Sequence, residues 1–282
     1  MVGIIVGKEA TKIYIAGHGM AVDAEFELAP SIFLSPQVVR QEDSFGTRTG
    51  EEFQTMAAVL ATQRIATFSV VVEEQTGGTA LAAKGWNALW VFSLLALACR
   101  APVISLYSAT NDLLPKFSNA NRNVFIRPLR TWRPSDDELA WARKHYQAFI
   151  SLLSEARFRS AQRYYNNSWY VQDHDARIML LWAGIESLLD VDQELSRRIA
   201  LHSAILFDGD GPQKVKRYKQ IKRAYVVRSK AIHGNAPDNE AMSESANFAA
   251  EVLLSLLRKA VGLGRLPSGA ELDEAAASAS IS

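Results

Sequence analysis

Gln213-Lys-Val-Lys-Arg-Tyr-Lys-Gln-Ile-Lys-Arg-Ala-Tyr-Val-Val-Arg-Ser-Lys-Ala-Ile-His233 holds eight lysines and arginines and no acid. Within it Tyr218, Ile221, Tyr225 and Ile232 recur at three-, four- and seven-residue spacings, the period of one helix face. The stretch therefore predicts a helix over 213–233, stopped by Gly234. Arg228 falls on the same stripe, three after Tyr225 and four before Ile232. An inward guanidinium left alone is strongly unfavourable, so Arg228 must be paired or functional. The other cations, Lys214, Lys216, Arg217, Lys219, Lys222, Arg223 and Lys230, form an acid-free face that suits RNA contact as well as plain solvation.

Working outward, a preceding helix over 173–190 supplies a partner. Its apolar positions are Ile178, Leu181, Trp182, Ile185 and Leu189, and Glu186 lies at the edge of that face. A Glu186–Arg228 ion pair between the two helices is the expectation. His233 stands five residues beyond Arg228, which places it roughly 140° away around an ideal helix. The two side chains converge on one phosphate only if the helix ends near His233 or a second copy of the chain contributes. A permanent cation and an imidazole titrating near neutrality are what metal-free phosphodiester chemistry requires.

Most of the second half carries the same helical period. Helices are expected over 135–162, 173–190, 192–207, 213–233 and 240–262, the first opened by the capping box Ser135-Asp-Asp-Glu138. Asn166-Asn167-Ser168, Asp208 to Pro212 and Gly234 to Pro237 punctuate them. From Pro267 the tail is rich in Ala and Ser and reads as disordered.

The first half reads as mixed α/β. Short β-type runs are expected at 4–6, 12–16, 22–28, 67–73, 103–107 and 123–126, with helices at 51–62 and 79–98 and a turn at Gly17-His18-Gly19. The succession 67–73, 79–98, 103–107 suggests a crossover between parallel neighbours. No Gly-rich phosphate loop is present. Pro128 and Pro134 mark the change of character, so the fold class is α+β. A mixed α/β domain over 1–130 precedes an all-α bundle over 135–265, with a tail over 266–282.

Bulk properties set bounds. A chain of 282 residues can bury one large or two medium cores. Its net charge of +1 gives no whole-molecule field for a polyanion, so the basic stretch is a local feature. Cys99 cannot form an internal disulfide and reads as an apolar filler in a reducing, cytoplasmic setting. The N-terminus lacks a signal-peptide pattern, and the apolar run 86–99 is shorter than the roughly 20 residues that span a bilayer. Neither Glu73-Glu74 nor the spacing of His145, His174 and His202 makes a persuasive metal or catalytic set. Tyr164, Tyr165, Trp169 and Tyr170 are expected to pack a domain junction or dimer surface.

Three segments together, Leu181-Trp-Ala-Gly-Ile-Glu186-Ser-Leu-Leu189, Glu194-Leu-Ser-Arg-Arg-Ile-Ala200 and Tyr225-Val-Val-Arg228-Ser-Lys-Ala-Ile-His233-Gly234, resemble a HEPN domain, closest to the Apea-like branch. The resemblance covers about 140–262. It implies a helical bundle that dimerises to join two Arg-x4-His elements in one cleft, with no cofactor. It implies a metal-independent endoribonuclease of prokaryotic defence or toxin-antitoxin systems, in which a ribose 2′-hydroxyl attacks the neighbouring phosphate. His233 would exchange protons, Arg228 would stabilise the phosphorane and Glu186 would hold Arg228. Many active members carry Asn, Asp or His after the arginine, where this chain has Ser229. The N-terminal domain would then sense a trigger protein or antitoxin. A non-catalytic module for RNA binding or protein assembly is the alternative.

Overall fold

The computed structural model describes residues 4–42, 50–121, 129–191, 195–232 and 238–278. The chain divides into two compact units, Met1–Tyr146 and Gln147–Ser282. The division falls inside a helix, further along than the proline-marked change near residue 130.

Unit 1 is built on one six-stranded antiparallel sheet in the order β2-β3-β4-β1-β5-β6. The strands are β1 (Lys12–His18), β2 (Phe26–Ala29), β3 (Ile32–Ser35), β4 (Phe68–Glu73), β5 (Ile104–Thr110) and β6 (Phe117–Asn119). Helices α1 (Gly50–Thr62) and α2 (Gly78–Cys99) cover it. The expected parallel pair is not there: β4 and β5 each pair antiparallel with β1, which lies between them. The crossover reading failed because β1, rich in β-branched and aromatic residues, comes first in the chain and takes the central slot.

Helix α2 is long and apolar enough to cross a membrane by length and composition. Here it is a core helix: Val91 to Cys99 are all buried, and it packs on β1, β4 and β5. Cys99 is among these buried residues, beside Met20. Gly17 permits the close packing, since a Cβ there would fall 2.4 Å from the Phe68 ring and 2.6 Å from that of Phe92. Gly17-His18 is therefore strand and not turn, and only Gly19, at φ 94°, leaves the extended region. His18 is buried and accepts a hydrogen bond from the Leu129 N–H at Nε2; burial pushes its pKa down. Among the other expected strands, 4–6 forms none, 22–28 shrinks to β2, and 123–126 lies outside the described residues.

Unit 2 is helical. The expected single helix over 135–162 is two, α3 (Asp136–Leu152) and α4 (Ala156–Asn167). Leu153, Ser154 and Glu155 turn the chain with tight i→i+3 hydrogen bonds, so that Phe149 and Phe158 meet edge to face at 5.8 Å. Then come α5 (His174–Leu189), α6 (Leu195–Leu206), α7 (Gly211–Ile232), α8 (Asn239–Leu263) and α9 (Gly269–Ala277). The core seam runs between α5 and its neighbours α4 and α8.

The tail expectation is corrected by α9. Ser268 and Glu271 form a capping box, and Leu272 is buried beside Leu188, Leu189, Leu206 and Leu256. Asp273 adds a polar clasp to α6: its carboxylate accepts from His202 Nε2 at 2.8 Å and pairs with Arg198 at 2.9 Å. One buried leucine and one shared carboxylate order a segment whose average composition reads as unfolded.

Candidate functional site

Arg228 lies in the second-last turn of α7, and the neighbouring α5 brings Glu186 to it. Arg228 Nη2 and Glu186 Oε1 are 3.2 Å apart, so the expected pair is present. The two side chains are about equally shielded, at 24% and 23% exposed. The Tyr225 hydroxyl donates to the same carboxylate oxygen at 3.4 Å. The Tyr225 ring in turn stands edge-on to Trp182 at 5.1 Å, and the Arg228 guanidinium lies 5.2 Å from its centroid. Burial, then the negative charge of Glu186, raises the Tyr225 pKa and keeps that hydroxyl a donor. The result is a string from the apolar core to a cation at the helix end.

Arg228 still has unused capacity, because its buried Nε finds no hydrogen-bond partner among the described residues. Ser229 is half-buried on the next position of α7. His233 lies one residue past the last described residue of α7, outside the described residues, so its place relative to Arg228 rests on the sequence alone.

The basic face resolves into two kinds of residue. Lys216, Lys219, Lys222, Arg223 and Lys230 are exposed. Lys214 is half-buried, its ammonium 3.3 Å from the Ile205 carbonyl oxygen. Arg217 does not belong with them and is corrected here. It is 9% exposed, lies over the rings of Phe207 and Phe248 at 3.9 and 4.9 Å, and pairs with Glu251 at 2.7 Å. The buried face of α7 is Arg217, Ile221, Ala224 and Tyr225, so the expected stripe is rotated: Tyr218 is only half-buried and Ile232 is exposed. Two aromatic rings, Phe207 just past the end of α6 and Phe248 in α8, make room for a guanidinium where the period alone suggested a tyrosine.

Beside Glu186 lies an open polar cleft of about 580 Å³, formed by α4, α5 and the start of α6. Arg157, Tyr164 and Ser160 come from α4, Glu186 and Ser187 from α5, Asp190 from its C-cap, and Arg198 from α6. Arg157 Nη1 sits 3.0 Å from Asp190 Oδ2. Glu186 was expected at the site; Arg157, Ser160, Ser187, Asp190 and Arg198 were missed at the sequence level because α4 had no boundary there and Asp190 sits in a left-handed C-cap at φ 53°. The readable signal was the capping-box pattern at Ser268-x-x-Glu271, which points to the α9 helix that holds Arg198. Tyr164 lines the cleft, whereas Tyr165 is buried edge-on to Trp169, and burial pushes its hydroxyl up to about 12. Among the described residues, no group of three His, Cys, Asp or Glu side chains is arranged to hold a metal ion.

Compared with protein-family models, with curated proteins and with solved structures, the chain finds no match.

Proposed function

We propose that this protein is a metal-independent endoribonuclease of the HEPN type, acting as a dimer through its helical unit. The single observation that carries the reading is the Glu186–Arg228 pair. It holds a guanidinium five residues before His233, in a helix whose outer face presents five exposed cations. In this reading Arg228 offers its remaining N–H groups to the oxygens of a phosphorane. His233 exchanges protons with the attacking 2′-hydroxyl and the leaving 5′-oxygen, and Ser229 hydrogen-bonds beside them. Lys216, Lys219, Lys222, Arg223 and Lys230, with Lys214 at the edge, attract the RNA backbone. The need for a 2′-hydroxyl confines cleavage to RNA. Such a nuclease belongs in the cytoplasm of a defence or toxin-antitoxin system, with unit 1 receiving the trigger protein or antitoxin.

A second reading has its own support. Tyr225, Glu186 and Arg228 form one connected network rooted on Trp182, which suits a non-catalytic module whose arginine braces two helices.

Incubation of the purified full chain with mixed RNA in EDTA separates the two. The nuclease reading expects cyclic-phosphate ends, intact DNA of the same sequence, and a loss of at least about a hundredfold in His233→Ala. Equal cleavage by both proteins removes the nuclease reading. So does the absence of cleavage by either one, in a dimer supplied with every available trigger.

A further inference from the structure

The cleft behind Glu186 is built of ion pairs with one asymmetry in common. In the Arg157–Asp190 pair the guanidinium side chain is 31% exposed and the carboxylate 67%. In the Arg198–Asp273 pair the values are 26% and 51%. The cations are thus held by the cleft walls, and Asp190, the more hydrated of the two anions, can turn away, whereas Asp273 is also held by His202. Pairs of this kind contribute little, so a better acceptor can replace one carboxylate at small cost. Among the described residues Arg157 Nη1, buried and 3.0 Å from Asp190 Oδ2, makes no aligned hydrogen bond, and neither does Nε of Arg228, the partner of Glu186. Hydroxyls of Ser160 and Tyr164 line the same walls and can donate to oxygen, whereas that of Ser187 already donates to the Arg157 carbonyl at 3.1 Å.

We infer that this cleft is an oxyanion site in which a dianionic phosphate monoester displaces Asp190 from Arg157 and is shared with Arg198. A monoester brings two charges and three terminal oxygens, enough for a guanidinium on each wall and a hydroxyl between. Glu186 does not oppose it, because its charge is already engaged by Arg228. Asp190 acts as a resident competitor, which makes the site weak at rest and selective for dianions. The same chemistry can come from a phosphorylated small molecule or from the terminal phosphate of an RNA strand. The site needs neither His233 nor strand cleavage.

Phosphorus NMR titration of the full chain with methyl phosphate at low salt tests this. Saturable binding is expected with a Kd on the order of 1 mM, a scale typical of a few charge-assisted contacts. Arg157→Gln and Arg198→Gln should each weaken it about tenfold. Asp190→Asn should tighten it at least about threefold, and asparagine tolerates the left-handed C-cap, so that variant keeps its fold. A structural role for Asp190 cannot produce tighter binding. No saturable binding, unaltered binding in Arg157→Gln, or an Asp190→Asn variant no tighter than the parent overturns the inference. Competition assigns the source: displacement by RNA with a 5′-phosphate but not by the 5′-hydroxyl form points to a strand end. Displacement by neither points to a small phosphorylated molecule, and equal displacement by both contradicts a monoester site. Failure of the EDTA cleavage assay leaves this result intact, and the reverse also holds.

Discussion

Arg217 provides the sharpest test of the helical unit, because sequence placed it on an RNA-facing surface and the fold places it in the interior. Replacing it with alanine removes a guanidinium from two aromatic faces at 3.9 and 4.9 Å. Partly desolvated cation–π contacts contribute about 1–2 kcal/mol each. The aliphatic stem packs as well, since the side chain is only 11% exposed, and its loss adds about 1 kcal/mol. The ion pair to Glu251 adds little, because that carboxylate is 60% exposed. Against these stands the buried Nε without a hydrogen bond, whose desolvation costs about 1 kcal/mol in the parent. The expected net loss is about 3 kcal/mol, or a melting temperature lower by roughly 10 °C for a unit of this size. Lys219→Ala, exposed on the same helix, should stay within about 0.5 kcal/mol. Urea denaturation followed by far-UV circular dichroism measures both. Filter binding over a salt series adds the converse: Lys219→Gln should shallow the salt slope by about one contact, and folded Arg217→Lys should not. If Arg217→Ala costs less than about 0.5 kcal/mol while weakening RNA binding as Lys219→Gln does, the burial argument is wrong.

Two further outcomes follow from the same unit. A double-mutant cycle of Glu186→Gln and Arg228→Met should give a coupling of about 1 kcal/mol, because both partners are three-quarters shielded; a coupling indistinguishable from zero would mean the pair holds nothing together. The hydrogen bond from His202, aided by Arg198, holds the Asp273 carboxyl below the usual carboxylate range. A depressed folded-state pKa contributes stability above the unfolded value of about 3.9 and loses it as pH falls below that. Hydrogen exchange of α9 should therefore accelerate in acid more in the parent than in Asp273→Asn, compared at each pH; identical profiles would detach α9 docking from this carboxylate.

How much of this was legible beforehand depended on whether the signal was local. The α5 and α7 helices, and the meeting of Glu186 with Arg228, followed from periodicity, since a charge at the edge of one apolar face must find its complement on the next. The long apolar helix α2 was equally plain. The basic run was read as one face, yet helical period cannot say which residue of a crowded strip turns inward. Arg217 was decided by Phe207 and Phe248, which arrive from the end of α6 and from α8.

The order of strands shows the same divide. Local pattern located the runs that became β1, β4 and β5, because β-branched side chains favour a pleated backbone wherever the strand ends up. It could not place β1 between β4 and β5, since which strands become neighbours is settled by long-range pairing and by where α2 packs. Likewise the tail from Pro267 looks unstructured on composition, and one leucine in an apolar seat plus one carboxylate held by an arginine and a histidine makes it a helix. The sequence by itself determined the helices α2, α5 and α7, the runs of β1, β4 and β5, and the need of Arg228 for a partner, because those depend on neighbours a few residues away. Tertiary structure alone decided which cation is buried, how the sheet is ordered and that a polar cleft opens beside Glu186, because each requires groups that meet only when distant segments fold together.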